Sequence, residues 1–226
     1  MTNAYYLRSN VENILDTLLN LRVTILHNPV TLNEECGVST ITWGPSAPGR
    51  LFRLSGNHID EYPQWVEAQA YSAILFDGSL LQLTWKVCSS EIIGHRLAYI
   101  PCPLRLDEEL LKEEPVIDVW DLARDNAESY VVLRSPVRFD YDPNPKVVGD
   151  NHPASHLTFN IVDCRIPVAF PLGPHEFFRF VFKNFYPSIW EETEYLRKLK
   201  SQSKQSDVLR PAHRQEAYIQ WDSAYR

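Results

Sequence analysis

Apolar residues recur along the first part of the chain with two different periods. One set has the three- and four-residue spacing of a helical face: Val11, Ile14, Leu15, Leu18 and Leu19. Ser9 and Glu12 have the spacing of a capping box, a common start of a helix. The pattern therefore predicts an amphipathic N-terminal helix that ends near residues 20–23 and packs across a sheet.

The second period is the two-residue alternation of strands, and it begins after residue 37. Residues 38–43 are β-branched and aromatic, and Gly44-Pro45 ends this predicted strand. Residues 46–66 contain Pro48, Gly49, Gly56 and Pro63, which favours an irregular excursion.

Asp77-Gly78 gives the clearest turn signal, because this pair tolerates the positive φ angles of a tight hairpin. The strand after it alternates. Its apolar face consists of Leu81, Leu83, Trp85 and Val87, and its polar face of Gln82, Thr84 and Lys86. Residues 95–100 predict a third strand of the same meander.

The second half of the chain predicts a mixture of strands and helices. Residues 106–126 are acidic and partly helical, with an interruption at Pro115. Strands are expected at residues 130–141 and 156–161. Pro174 starts a helix over residues 175–186 that is apolar on most sides, which is typical of a buried helix. Residues 190–226 predict a helix, a flexible stretch and a short terminal segment.

These elements predict an α+β fold: an antiparallel, meander-rich twisted sheet with the N-terminal helix and a buried C-terminal helix packed on it. The length of 226 residues suits a single domain over residues 1–190 with a polar helix and tail, residues 191–226, appended to it.

Charge and cysteine content narrow the classes of function. The formal net charge is −7, which disfavours nucleic acid as a partner without excluding a local basic patch. The four cysteines form no C-x-x-C pair, so a zinc ribbon is not expected. No apolar run has the length of a membrane span, and the N-terminus lacks the apolar block of a signal peptide. We therefore expect a cytoplasmic protein without a membrane partner.

The densest polar segment of the chain covers residues 138–165. In an extended strand, Arg138, Asp140 and Asp142 share one face. His156, Thr158 and Asn160 share a face of the next predicted strand. If the two strands pair antiparallel with their apolar faces together, the paired residue numbers have an even sum. A sum of 296 sets Asp140 opposite His156 and Arg138 opposite Thr158, and other even sums remain open.

Three interpretations of this segment remain open. The first is a general acid–base site in which His156 is the base, Asp140 orients it, Arg138 binds an anion and His152 lies in the loop above. Further substrate contacts are then expected from the polar side chains that follow: Thr158, Asn160 and Arg165.

The second interpretation is a metal site built from His152, His156, Asp140 and Asp142. It requires a turn in the segment between the histidines, because residues four apart in an extended chain lie roughly 13 Å apart. The third is a structural network of ion pairs and hydrogen bonds that holds the loop in place. The common nucleotide-binding and serine-hydrolase motifs are absent, so the sequence does not support those two classes of enzyme, and it leaves any cofactor unknown.

Several phrases of the sequence resemble the bacterial domain-of-unknown-function family 2290. They are FDGSL with HRLAYIPCPL, then SPVRFDYDP, HPASHLTF, CRIPV and PHEFFRFVFKNFYP, and they span residues 70–187. The resemblance implies a prokaryotic origin but no established activity. The segment is also loosely similar to small toxin–antitoxin-associated proteins that carry an Arg-Tyr-Asp strand followed by clustered histidines.

The expectation for function is a phosphodiester hydrolase, a nuclease-like effector of a toxin or phage-defence system. The alternative is a non-catalytic interaction subunit, in which helix 175–186 and the C-terminal tail dock a protein partner. Exposure of Phe177, Phe180 or Phe182 would favour this alternative.

Overall fold

The computed structural model describes residues 3–44, 58–125, 130–132, 134–159, 164–199 and 206–221. The described strands are β1 Thr24–His27, β2 Val30–Glu35, β3 Val38–Trp43, β4 Ala73–Leu75, β5 Leu80–Cys88, β6 Glu91–Ile100, β7 Val137–Tyr141, β8 Ser155–Phe159 and β9 Arg165–Pro167. The described α-helices are α1 Ala4–Asn20, α2 His58–Glu67, α3 Val116–Arg124, α4 Pro174–Phe185, α5 Pro187–Glu192 and α6 Glu194–Lys198.

All nine described strands belong to one sheet, and each of their pairings is antiparallel. The order is β1-β4-β5-β6-β7-β8-β9. One edge of β5 is shared, because β4 pairs with its first residues and β3, which also pairs with β2, pairs with its later ones. The fold is therefore α+β with an antiparallel, meander-rich sheet, as the sequence predicts.

The Asp77-Gly78 turn joins β4 to β5. Gly78 has a φ of +81°, and its N–H donates to the Leu75 carbonyl at 2.9 Å. The predicted alternation in β5 is also confirmed, because the apolar residues of its odd-numbered positions lie in the main core.

One face of the sheet carries the main core. The helices α1 and α4 cover it with fully or almost fully buried side chains such as Ile14, Leu18, Phe177 and Phe182. Trp85 lies beneath them, and its indole N–H donates to the Leu172 carbonyl at 2.9 Å. The prediction of a buried helix near residues 175–186 is confirmed.

Described helices cover the opposite face of the sheet at only one of its ends. There α2 and α3 pack on β4, β5 and β6, with Tyr62 stacked on Trp120 at a ring-centroid distance of 4.6 Å. Further along β5 and β6, and across β7 and β8, the same face carries polar side chains, and a cleft lies over them.

Several boundaries differ from those that the sequence predicts. The helix α1 begins at Ala4 and not after Ser9, because the Asn3 side chain accepts the N–H of Tyr5 at 2.9 Å and caps the first turn. Residues 58–67 form a helix with Pro63 in its interior, where proline removes one i→i−4 hydrogen bond. The rest of the expected irregular stretch, residues 46–57, lies outside the described residues.

The C-terminal segment 206–221 returns to the sheet beside β9. The Ala169 N–H donates to the Ile219 carbonyl at 2.9 Å, and the Ile219 N–H donates to the Pro167 carbonyl at 2.9 Å. The Trp221 ring lies 5.9 Å from that of Phe170. The division of the chain at residue 190 stays a prediction. No helix in the described ranges is long and apolar enough to cross a bilayer.

Candidate functional site

A cleft of about 1180 Å³ lies on the polar face of the sheet, over β3, β5, β6, β7 and β8. Four cationic side chains line it: Lys86, Arg96, Arg138 and Arg165. Its acidic lining residues are Glu35, Asp140 and Asp142, and its imidazoles include His152 and His156. Pro143, Asn144, Pro145 and Val147 form part of the wall of the cleft.

The charged and imidazole side chains of the cleft lie close together because β7 and β8 pair in the register in which the paired residue numbers sum to 296. Asp140 lies opposite His156, and Arg138 lies opposite Thr158, so the predicted pairing of β7 with β8 is confirmed. On its other side β7 pairs with β6, which sets Arg96 opposite Asp140. Arg96, Asp140 and His156 therefore form one row across three strands on the cleft face.

Asp140 is held by two guanidinium groups. Arg96 Nε donates to Oδ1 at 2.9 Å, and Arg138 Nε donates to Oδ2 at 2.6 Å. The Asp140 side chain is 12% exposed. Burial works to raise the pKa of this carboxyl, but Arg138 and Arg96 outweigh it and hold the pKa below its usual value. Asp140 is therefore a carboxylate that orients two arginines.

His156 takes its orientation from the backbone and not from Asp140. Its Nδ1 lies 2.9 Å from the Pro153 carbonyl, so Nδ1 carries the proton and donates it. Its Nε2 lies 3.8 Å from Asp140 Oδ2, too far for a hydrogen bond. Burial lowers the pKa of His156, although the Asp140 charge opposes this. The neutral imidazole thus keeps an unprotonated Nε2, the form required of a general base.

Asp140 is therefore a charged neighbour of His156 that makes no hydrogen bond to it. The carboxylate is committed to arginines because β6, which lies far from β7 in the sequence, supplies Arg96 as its second partner. The third interpretation, a polar network, is present in this part of the site. It joins β6 to β7, whereas His156 lies on β8 and His152 lies in the turn before that strand.

His152 comes close to His156 because the chain turns between β7 and β8. Gly149 and His152 exchange two backbone hydrogen bonds, at 3.0 and 3.2 Å, around Asp150 and Asn151. The rings of His152 and His156 then meet edge to face, with centroids 4.9 Å apart. The Nδ1 atom of His152 is buried and has no hydrogen-bond partner among the described residues.

The C-terminal segment holds this turn from outside. His213 is buried, and its Nδ1 accepts the Arg210 N–H at 3.2 Å, so its Nε2 carries the proton. That Nε2 lies 3.3 Å from the Gly149 carbonyl, to which it donates. Arg210 also lies 3.8 Å from Asp150. The position of His152 therefore depends on residues about 60 positions further along the chain.

The other predicted site residues have different surroundings. Thr158 is fully buried, does not line the cleft, and its hydroxyl has no hydrogen-bond partner among the described residues. Arg165 lies opposite Thr158 on β9 and lines the cleft. Asn160 lies outside the described residues. Asp142 is exposed, and its carboxylate accepts the Asn144 N–H at 3.0 Å.

The metal interpretation has little geometric support. Within the described residues, no group of three or more His, Cys, Asp or Glu side chains is arranged to hold a metal ion. The rings of His152 and His156 do come together, but Asp140 faces arginines and Asp142 caps the following loop. We therefore find no metal centre in that part of the chain and name no cofactor.

Two cationic residues of the cleft were not identified from the sequence. Arg96 and Lys86 alternate with apolar residues on β6 and β5, so a polar face was visible for each strand. The sequence did not reveal that β6 lies beside β7, because residues 101–136 separate them. Without that adjacency, neither residue could be assigned to the site.

The comparison with protein families gives one match. The model of the family described as "Uncharacterized conserved protein (DUF2290)" matches residues 25–221, which include the whole cleft lining and every described strand except Thr24, the first residue of β1. The chain therefore belongs to the DUF2290 family. No curated protein and no solved structure matches it.

Proposed function

We propose that this member of the DUF2290 family is a phosphodiester hydrolase that works from the cleft on the polar face of its sheet. The observation that carries the proposal is the pair of adjoining imidazoles, His152 and His156, beside a floor that presents Arg96 and Arg138. Imidazoles transfer protons near neutral pH, and guanidinium groups stabilise the negative charge of a phosphoryl transition state.

The roles follow from the orientation of each group. His156 Nε2 takes a proton from a water molecule, whose oxygen attacks phosphorus. The bond from phosphorus to the leaving ester oxygen breaks, and His152 donates a proton to that oxygen. Each imidazole returns to its starting form by exchanging a proton with solvent. Asp140 is a positioning residue in this scheme, because it fixes Arg96 and Arg138 through their Nε atoms.

A nuclease-like effector of a toxin or phage-defence system is the biological setting that we propose for this activity. The proposal is supported by the loose similarity of the segment around Asp140 and His156 to toxin-associated proteins. It predicts that expression of the chain slows bacterial growth and that the double substitution His152→Ala, His156→Ala abolishes this effect while the protein folds normally.

The alternative, a non-catalytic subunit that docks a partner, loses the surfaces it was based on. Phe177 and Phe182 are fully buried in the chain's own core, and Phe180 packs against Phe139 at 4.9 Å. The part of the C-terminal tail that is described, residues 206–221, packs on β9 and on the His152 turn.

Cleavage of a small chromogenic phosphodiester tests the proposal. The wild-type chain is expected to cleave it, and the His152→Ala, His156→Ala variant is expected to be at least about 100-fold slower, because positioned acid–base groups contribute at least that factor. His58→Ala, at the start of α2 and outside the cleft lining, serves as the control and should retain the wild-type rate. Equal rates for a folded double variant and the wild type would refute the proposal.

A further inference from the structure

We infer that the substrate of the cleft is a single-stranded nucleic acid that crosses the strands of the sheet, with Lys86 as a phosphate-binding residue remote from the histidines. This inference rests on the proposed phosphodiester chemistry and names its substrate class. Three features of the cleft support it: its size, the line of its cations and the accessibility of Lys86.

The volume of the cleft exceeds what a small ligand requires. Pockets for small molecules have volumes of about 300–1,000 Å³, whereas this cleft has about 1180 Å³. It extends from β8, which carries His156, to β3 and the β2–β3 turn at Cys36. A cleft of this length suits an extended chain with the reacting group at one end.

The cations of the cleft follow its long direction. Arg138 lies on β7, Arg96 on the neighbouring β6, and Lys86 on β5 beyond it. Three strand spacings of about 4.8 Å separate Lys86 from His156, so these residues lie at least roughly 14 Å apart across the sheet. A substrate that contacts both ends therefore carries more than one phosphate, and a polynucleotide backbone supplies negative charges at regular intervals.

Lys86 is arranged to receive such a charge. Its side chain is exposed, it forms no ion pair among the described residues, and it lies opposite Gly94. A Cβ atom at Gly94 would lie 3.7 Å from both Cβ and Cδ of Lys86, so the lysine stem passes directly over the glycine. Arg96 binds Asp140 through Nε, and its terminal nitrogens have no hydrogen-bond partner in the described parts of the chain.

The cleft also explains how an anionic protein can bind an anion. The formal net charge of the chain is −7, but Asp140 inside the cleft is compensated by two arginines. The remaining acidic lining residues, Glu35 and Asp142, are exposed near the rim, where solvent screens them. Binding is therefore expected to be local to the cleft and sensitive to salt.

The salt dependence of binding tests the inference. Fluorescence anisotropy is measured with labelled oligothymidylate and oligouridylate of two and about 12 nucleotides, a typical site length for single strands. The His152→Ala, His156→Ala background keeps these probes uncleaved. We expect the longer probe to bind more tightly than the dinucleotide. In this background, the further substitution Lys86→Ala should reduce the magnitude of the slope of log K against log salt by about 0.7.

When salt rises from about 50 to 200 mM, the Lys86→Ala protein should therefore lose about 2.6-fold less affinity than the protein that retains Lys86. The matched control is Lys112→Ala, which removes the same charge from an exposed lysine paired with Glu109 outside the cleft lining. It should leave the slope unchanged.

The outcomes separate this inference from the proposed function. Cleavage of the small phosphodiester, together with equal affinity for short and long probes, overturns the strand-binding inference and leaves the hydrolase proposal standing. Length-dependent binding that Lys86→Ala and Lys112→Ala weaken equally also overturns it, since the effect would then come from net charge. Lys86-dependent binding without any cleavage supports the strand-binding cleft and removes the hydrolase.

Discussion

Replacement of Asp140 by Asn removes the charge that holds Arg96 and Arg138 in place on the floor of the cleft. Arg138 has a side chain that is only 12% exposed, so it would lose, in a largely buried position, the carboxylate charge that its Nε contacts at 2.6 Å. Breaking a buried pair in this way costs about 3–5 kcal/mol. Arg96 is 37% exposed, and solvent screening limits its contribution to at most about 1 kcal/mol.

Asn retains the volume of Asp and one acceptor oxygen, so the expected loss lies at the lower end, about 3 kcal/mol in the free energy of unfolding at about pH 7. Urea unfolding followed by tryptophan fluorescence measures it, because urea does not screen ion pairs as guanidinium chloride does. The control Asp142→Asn lies one residue beyond β7, is exposed, and should cost less than about 1 kcal/mol.

The difference in the free energy of unfolding between wild type and Asp140→Asn should become smaller as the pH falls. The pKa of Asp140 is lowered in the folded protein, so its contribution is fully present above the unfolded value of about 4 and is lost as pH falls through the folded value. The gap between wild type and Asp140→Asn should therefore narrow below about pH 4. A loss below about 1 kcal/mol at neutral pH, or a gap that stays constant into acid, would refute the assignment of Asp140 as the counterion of Arg138.

Three further predictions follow from the described contacts. The lowered pKa of His156 predicts that kcat/KM for phosphodiester cleavage falls in acid with an apparent pKa below about 6.5. A pH profile of kcat/KM whose acid side has an apparent pKa at or above that value would contradict the role of His156 as base. Burial lowers the pKa of His95 to about 4, so its contribution to stability is complete above about pH 6.5 and declines by about 3 kcal/mol down to pH 4. Urea unfolding across that range should show this decline, and His95→Gln should flatten it. Deletion of residues 206–226 removes the Trp221 contacts with Phe139 and Phe170 and the His213 contact with the His152 turn. The deletion should lower the free energy of unfolding in urea by about 3 kcal/mol and abolish cleavage. Unchanged cleavage would show that the segment does not position His152.

Local pattern predicted the parts of the fold that depend on neighbouring residues. The Asp77-Gly78 turn, the two faces of β5 and the buried helix α4 follow from turn chemistry and periodicity alone. The pairing of Asp140 with His156 is one of the registers that strand parity allows, but the long connection over residues 142–154 does not single it out.

Long-range contacts were not accessible in the same way. Arg96 joins Asp140 from a strand 44 residues away, and the sequence contains no signal for that adjacency. The sequence likewise gives no signal that the described part of the C-terminal segment binds the His152 turn through His213. His95 was expected at the start of a strand, whereas it is buried within β6 and accepts the Leu172 N–H at 2.9 Å. Each of these contacts depends on how distant parts of the chain pack together.

Chemical rescue of His156→Ala tests the central claim most directly. If the unprotonated Nε2 of His156 is the base, the folded variant should lose at least about 100-fold in the rate of phosphodiester cleavage, and added imidazole should restore part of it. Imidazole should have no comparable effect on the wild type. A folded His156→Ala chain that cleaves the diester at the wild-type rate would contradict the claim.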